Sequence, residues 1–166
     1  MGAGLGRRRT EFKLDAHCMT AKQVSYTFDS TLETVNNAEQ QAGRVAAEAG
    51  FNEDDVMSIS MAVREAAVNA VLHGNAYDPS KKVTLAFEHN GKNLTILVRD
   101  QGKGVNVETI PDPLAPENLL KQSGRGIFLM RSLMDEVLIS ASAAGTEVKL
   151  IKHLPGPAGN FQEASH

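Results

Sequence analysis

The central helical pattern of the chain runs from Met61 to Asn75. Apolar residues recur there at intervals of three and four, so one stripe of a helix can pack against a sheet. The stripe consists of Ala62, Val63, Ala66, Ala67, Ala70 and Val71. We expect Gly74 to end this helix in the left-handed conformation.

Two elements are predicted before this helix. Alternating apolar residues from Lys22 to Phe28 predict a strand at the edge of a sheet. A capping box formed by Ser30 and Glu33 then predicts a helix that continues to Gly50. Asn52, with Asp55 three residues later, predicts the start of the central helix.

A hairpin, a helix and two strands are predicted after it. Apolar and polar residues alternate on both sides of Asn90-Gly91, a dipeptide typical of tight hairpin turns, and the second strand ends beside Asp100. A helical pattern returns at Gly126–Met134, and Val137–Ala141 and Thr146–Lys152 alternate like strands. This order predicts an α+β fold with helices on one face of a largely antiparallel sheet.

The segment from Gln101 to Ser123 has almost no hydrophobic period. Three prolines lie inside it, and Gly102, Gly104 and Gly124 bracket it. Because so long a loop in a compact domain is usually functional or disordered, we predict a lid that closes over a ligand.

Composition limits the classes of protein to which the chain can belong. Its 166 residues and 42% hydrophobic content fit one globular domain, which we place at 22–153 between a flexible arm (1–21) and a disordered tail (154–166). The net charge of −3 gives no reason to expect a nucleic-acid partner. The single cysteine, Cys18, excludes a disulfide framework, and no apolar run has the length of a membrane span. We therefore expect a cytoplasmic protein.

Polar residues stand beside the apolar stripe of the central helix. Glu65, Asn69 and His73 are spaced by four residues, so we expect a polar ladder along one edge of the helix. His73 is interpreted as structural, at the helix end. The alternative is an ordinary solvated helix face.

Two glycine clusters could approach a ligand closely. Asp100 ends a strand and is followed by Gly102 and Gly104, so a carboxylate could accept from an amine beside a backbone that lacks side chains. The cluster 123–126 precedes a predicted helix, whose first amides, together with Arg125, favour a phosphate. Each cluster alone could equally be a glycine-containing turn.

The order of these signals resembles the GHKL family of ATP-binding domains, named after gyrase, a heat-shock chaperone, histidine kinases and the mismatch-repair protein MutL. Glu65-x-x-x-Asn69 resembles its N box, Asp100-Gln-Gly-Lys-Gly104 its first glycine box and Gly124-Arg-Gly126 its second. Gly145-Thr146 is similar to a later Gly-Thr element. The spellings of 64–75 and 123–135 look most like bacterial anti-sigma factor serine kinases of the RsbW and SpoIIAB type. The resemblance implies the Bergerat fold, a two-layer α/β sandwich with a mixed, mostly antiparallel sheet.

The resemblance also implies a role for each matched residue. Asn69 would hold Mg²⁺, and Glu65 would act as the general base for phosphoryl transfer. Asp100 would accept a hydrogen bond from the adenine amino group, with Thr146 supporting it. The remaining matched residues would contact the base or the phosphates of ATP: Gly102, Gly104, Ser123, Gly124, Arg125 and Gly126.

The function implied is that of an ATP-dependent serine kinase that sequesters a sigma factor and phosphorylates an anti-anti-sigma antagonist of the STAS type. A homodimer is implied, without direct contact to nucleic acid or membrane. Two alternatives remain open. One is a regulatory module that binds ATP without phosphoryl transfer, and the other is a detached ATPase domain of a histidine kinase.

Overall fold

The computed structural model describes residues 7–10, 22–102 and 122–155. In these ranges six strands and three α-helices form an α+β fold, as predicted. The strands are β1 (Arg7–Thr10), β2 (Lys22–Asp29), β3 (Lys82–His89), β4 (Asn93–Arg99), β5 (Glu136–Ser142) and β6 (Gly145–His153), and the helices are α1 (Leu32–Ala49), α2 (Glu53–Val68) and α3 (Gln122–Leu133). None of the described helices is long and apolar enough to cross a membrane.

The sheet has the strand order β1-β2-β3-β4-β6-β5. Each described pairing is antiparallel, so the sheet in the described ranges is not mixed. The predicted edge position of β2 is wrong, because β1 pairs with it from Arg7 opposite Thr27 to Thr10 opposite Val24. Four residues of the predicted arm thus belong to the sheet. The interior position of β4 brings its carboxyl end close to the helices.

The core lies between the sheet and the helices. Alternate residues of four strands face it, because side chains of a strand point to opposite faces in turn. The helices contribute mainly alanines, which let α1 and α2 approach each other and the sheet closely. The strand residues buried there are Tyr26, Phe28, Val83, Leu85, Phe87, Leu94, Ile96, Val98, Val148 and Leu150.

The ends of α1 and α2 only partly follow the prediction. Thr31, not Ser30, is the N-cap of α1, and Ser30 is buried with no hydrogen-bond partner for its hydroxyl among the described atoms. The predicted capping box is therefore wrong. The C-cap is Gly50, in the left-handed conformation with φ 98°. Asn52 caps α2 as predicted, because its side-chain oxygen accepts a hydrogen bond of 2.8 Å from the amide of Asp55.

The central helix widens before it ends. From Asn69 to Gly74 it is a π-helix, and the amide of Asn75 donates to the carbonyl of Ala70 over 2.8 Å. The helix ends at Gly74 as predicted, but Gly74 is not left-handed, so the predicted conformation is wrong. The described non-glycine residues with positive φ are Ala76 (50°) and Tyr77 (60°), which follow this helix directly.

The second glycine cluster lies inside a helix rather than before it. Helix α3 begins at Gln122, so residues 123–126 belong to its first turns. The predicted lid, apart from the residues at its two ends, and Gly104 within it lie outside the described residues, as do most of the arm and tail. The predicted hairpin is confirmed, because the Asn90 side chain accepts from the amides of Lys92 and Asn93.

Candidate functional site

Glu65 and Asn69 lie against the start of α3. Both side chains are half-buried at the carboxyl end of α2. A Cβ added at Gly126 would lie 3.2 Å from Glu65 Oε2 and 3.3 Å from Asn69 Nδ2. The N box and the second glycine cluster therefore meet, and the absence of a side chain at Gly126 allows this close approach.

Asp100 and Thr146 meet where β4 and β6 end. The Asp100 amide donates to the Thr146 carbonyl over 3.0 Å, and the Thr146 amide donates to Asp100 Oδ1 over 3.0 Å. The Gly102 amide donates to the same carboxylate oxygen over 2.9 Å. Two backbone amides thus fix the carboxylate through Oδ1. No described residue donates a hydrogen bond to Oδ2, the carboxylate oxygen that lies nearest Gly74.

Three glycines make room for this arrangement. A Cβ added at Gly74 would overlap the Asp100 carboxylate, and one at Gly102 would overlap the carbonyl of Gly74. At Gly145, φ is 135° and a Cβ would overlap the Asp100 carbonyl, so both conformation and space require glycine there. The close approach of Asp100 therefore explains why a glycine precedes Thr146 in the Gly-Thr element.

The central helix, α2 with its π-helical end, connects the Glu65–Asn69 group with the Asp100–Thr146 group. Asn69 opens the π-helical segment and Gly74 closes it against Asp100. Such π-helical turns inside α-helices are frequent at functional sites. His73 lies in this segment and is exposed. Glu65 and Asn69 of the predicted polar ladder lie together against Gly126.

A buried hydroxyl marks the same place. Thr146 is 7% exposed, and its Oγ1 has no hydrogen-bond partner among the described atoms. A buried polar atom without a partner is costly, so such a group calls for a water or a ligand. This orphaned hydroxyl lies next to the carboxylate of Asp100.

The remaining predicted site residues are only partly described. Arg125 is exposed on α3 and has an interaction with its surroundings, while the side chain of Ser123 and the surroundings of Gly124 lie outside the described part of the structure. Among the described residues, no group of three or more His, Cys, Asp and Glu side chains could hold a metal ion.

Two groups with shifted pKa lie away from these residues. Hydrogen bonds from the Ser80 hydroxyl and amide lower the pKa of Asp78 in an exposed turn. Burial, and then the charge of Lys22, lowers the pKa of His89 at the opposite end of the sheet from Asp100. We assign neither group a role in the site.

Known proteins share this arrangement of elements. A profile of the histidine kinase-like ATPase domain matches residues 28–152. The chain belongs to this family. The match includes both groups of candidate residues, from Glu65 to Thr146, and confirms the resemblance to GHKL ATP-binding domains.

Two relatives define the branch of the family. The serine-protein kinase RsbW of Staphylococcus epidermidis is 30% identical over 144 residues, which cover 81% of this chain and 89% of the relative. The anti-sigma F factor of Anoxybacillus flavithermus is 42% identical over 106 residues, which cover 61% of this chain and 71% of the relative. The predicted similarity to anti-sigma factor kinases is confirmed.

A solved structure supports the fold. The crystal structure of the RsbU and RsbW domains of a Mycobacterium tuberculosis protein matches with a TM-score of 0.59 and 23% identity. The match covers 80% of this chain and 33% of that one. It confirms the α+β architecture of this member of the histidine kinase-like ATPase family.

One buried polar residue next to the candidate site was not singled out in the sequence. Asn75 is completely buried, and its carboxamide contacts the backbone of two other segments. Its position directly after a helix-ending glycine suggested only a helix terminus. It is the last residue of the stretch 64–75 that carries the family resemblance, but nothing in that stretch indicates that its side chain is buried.

Proposed function

We propose that the chain is an ATP-dependent serine-protein kinase that also binds a sigma factor. The observation that carries the proposal is the meeting of Glu65, Asn69 and Gly126 on one side and of Asp100 and Thr146 on the other, joined by a single helix. The names of the relatives, a serine-protein kinase and an anti-sigma factor, support both activities.

Adenine fits the group around Asp100. Oδ2 of this carboxylate is an acceptor without a described donor, and the Thr146 hydroxyl beside it lacks a partner. The exocyclic amine of adenine, with a water molecule, would satisfy both atoms. Because Oδ1 is occupied by two amides, the remaining oxygen has a fixed orientation that suits a donor on a flat ring.

The phosphates would then lie near Asn69 and the start of α3. Amides in the first turn of a helix attract phosphate, and the first turn of α3, which begins at Gln122, would supply them. Asn69 would hold Mg²⁺ through its carboxamide oxygen, and the ion when bound would neutralise charge on the phosphates. Ser123, Gly124 and Arg125 would contact the phosphates, and Gly102 and Gly104 would lie beside the base.

Glu65 is the proposed general base. It is half-buried one helical turn before Asn69, next to the place proposed for the phosphates. A serine hydroxyl from another protein would give its proton to Glu65 as its oxygen bonds to the γ-phosphorus. The bond from that phosphorus to the bridging oxygen breaks at the same time, and ADP leaves.

The partners follow from this activity. We propose that the phosphorylated protein is a STAS-domain antagonist and that the sequestered protein is a sigma factor. A homodimer and a cytoplasmic location, where sigma factors act, complete the proposal. We expect the nucleotide in the site to decide which partner is bound.

Incubation with ATP labelled at the γ-phosphate tests the kinase activity. We expect label on a serine of a STAS-domain protein from the same organism, and loss of that label when this serine is changed to Ala. A chain that binds ATP but labels no such protein would be the regulatory module instead. Label on a histidine of another protein would point to a histidine-kinase ATPase domain.

A further inference from the structure

We infer that Asn75 is a positioning residue for adenine recognition, holding the segment that carries Asp100. The inference rests on the proposed function, because it concerns the base-binding part of the same site. Asn75 is 0% exposed, and both ends of its carboxamide are bonded. It does not itself touch the proposed position of the base.

The Asn75 side chain bridges β3 and β4 where their direct backbone pairing ends. Thr84 lies opposite Arg99 in the β3–β4 ladder, so the same register would place Lys82 opposite Gln101. The Asn75 carboxamide lies between these two residues. Its oxygen accepts from the Gln101 amide over 2.8 Å, and its nitrogen donates to the Lys82 carbonyl over 3.1 Å.

A third hydrogen bond closes a ring. The Lys82 amide donates to Oε1 of Gln101 over 2.7 Å. Asn75, Lys82 and Gln101 are therefore linked pairwise. At this point β4 can leave β3 while the backbone groups of Lys82 and Gln101 keep hydrogen-bond partners.

The ring fixes one side of Asp100, and β6 fixes the other. Asp100 continues the pairing of β4 with β6 through Thr146, while the next residue, Gln101, is held by Asn75. The Asn75 amide also donates to the carbonyl of Ala70, so the same residue ends the helical segment that begins at Asn69. Asn75 thereby couples the proposed adenine and phosphate ends of the site.

Discrimination between ATP and purine riboside triphosphate tests this role. The second nucleotide lacks the 6-amino group, so the dissociation constant of purine riboside triphosphate divided by that of ATP reports on recognition of this group around Asp100 and not on the phosphates. We expect Asn75→Ala to lower this ratio by about tenfold, the effect of roughly one well-placed hydrogen bond. If Asn75 had a purely structural role, the substitution would weaken the binding of both nucleotides equally. An unchanged ratio would therefore overturn the inference.

Asn90→Ala is the matched control. Like Asn75, it accepts from the backbone through its side-chain oxygen. The donors are the amides of Lys92 and Asn93, in the β3–β4 hairpin at the other end of these strands. We expect this variant to keep the wild-type ratio, and a comparable drop here would overturn the inference. If Asn75→Ala does not fold, Gln101→Ala decides, because that side chain is exposed and its loss opens the same ring. A lower ratio in Gln101→Ala supports the inference, and an unchanged ratio contradicts it.

The wild-type protein separates this inference from the proposed function. If it binds neither nucleotide, the proposed function fails and the inference fails with it. If it prefers ATP and the variants at 75 and 101 do so equally well, only the inference is overturned.

Discussion

Replacing Asp100 with Asn is expected to lower the affinity for ATP by about 10²-fold and to shift the preference towards inosine triphosphate. Two backbone amides donate to Oδ1, so an Asn side chain must keep its oxygen there. Its NH₂ group then occupies the position of Oδ2 and faces the adenine amine, a donor against a donor. The 6-oxo group of inosine would accept from the same NH₂ group.

Dissociation constants for the two nucleotides, measured by calorimetry, check this prediction. Asp135→Asn is a suitable control, because the Asp135 carboxylate also accepts from a backbone amide, that of His153 over 2.6 Å, outside the candidate site. We expect the control to bind like the wild type. An Asp100→Asn protein with unchanged affinity and unchanged base preference would remove Asp100 from the adenine site.

Replacing Glu65 with Gln is expected to slow phosphoryl transfer by about 10²-fold or more while leaving ATP binding nearly intact. Gln has the same shape, so the approach to Gly126 is kept, but it cannot accept the proton of the attacking hydroxyl. The two quantities to measure are the single-turnover rate of labelling of the STAS-domain protein and the dissociation constant of ATP.

Glu53→Gln is the control for this change, because it removes an exposed carboxylate from the first turn of the same helix. We expect it to leave the transfer rate unchanged. A Glu65→Gln protein with the full rate would show that another group accepts the proton, or that none is needed. A loss of ATP binding in this variant would instead assign Glu65 to the nucleotide site itself.

The sequence predicted the fold well where hydrophobic period and turn chemistry agree. The hairpin at Asn90 and the caps at Gly50 and Asn52 depend on local residues, and all three are confirmed. The edge position of β2 depended on a remote segment, since β1 consists largely of arginines that carry no strand pattern. Ser30 is not the cap because its amide still donates to the Lys81 carbonyl beside β3, so the helix begins one residue later than the motif indicates.

Spacing and resemblance pointed to the candidate site residues. They did not point to the π-helical segment or to the buried Asn75 beside them. Glu65 and Asn69 share a helix edge, and this follows from their separation of four residues. The π-helical segment does not follow from helix propensity. Gly74 ends this segment in close contact with Asp100, and not in the left-handed conformation that we expected. Asn75 could not be recognised, because its carboxamide bonds to backbone atoms of Lys82 and Gln101, and backbone partners leave no signal in the sequence.

The central claim is that the Asp100 and Asn69 ends bind one molecule of ATP. Calorimetric titration of ATP in Mg²⁺ into the wild type, Asp100→Asn and Asn69→Ala tests it most directly. We expect the wild type to bind one nucleotide per chain, and each variant to bind more weakly at that same single site. Absence of ATP uptake by the wild type, or uptake that neither substitution weakens, would contradict it.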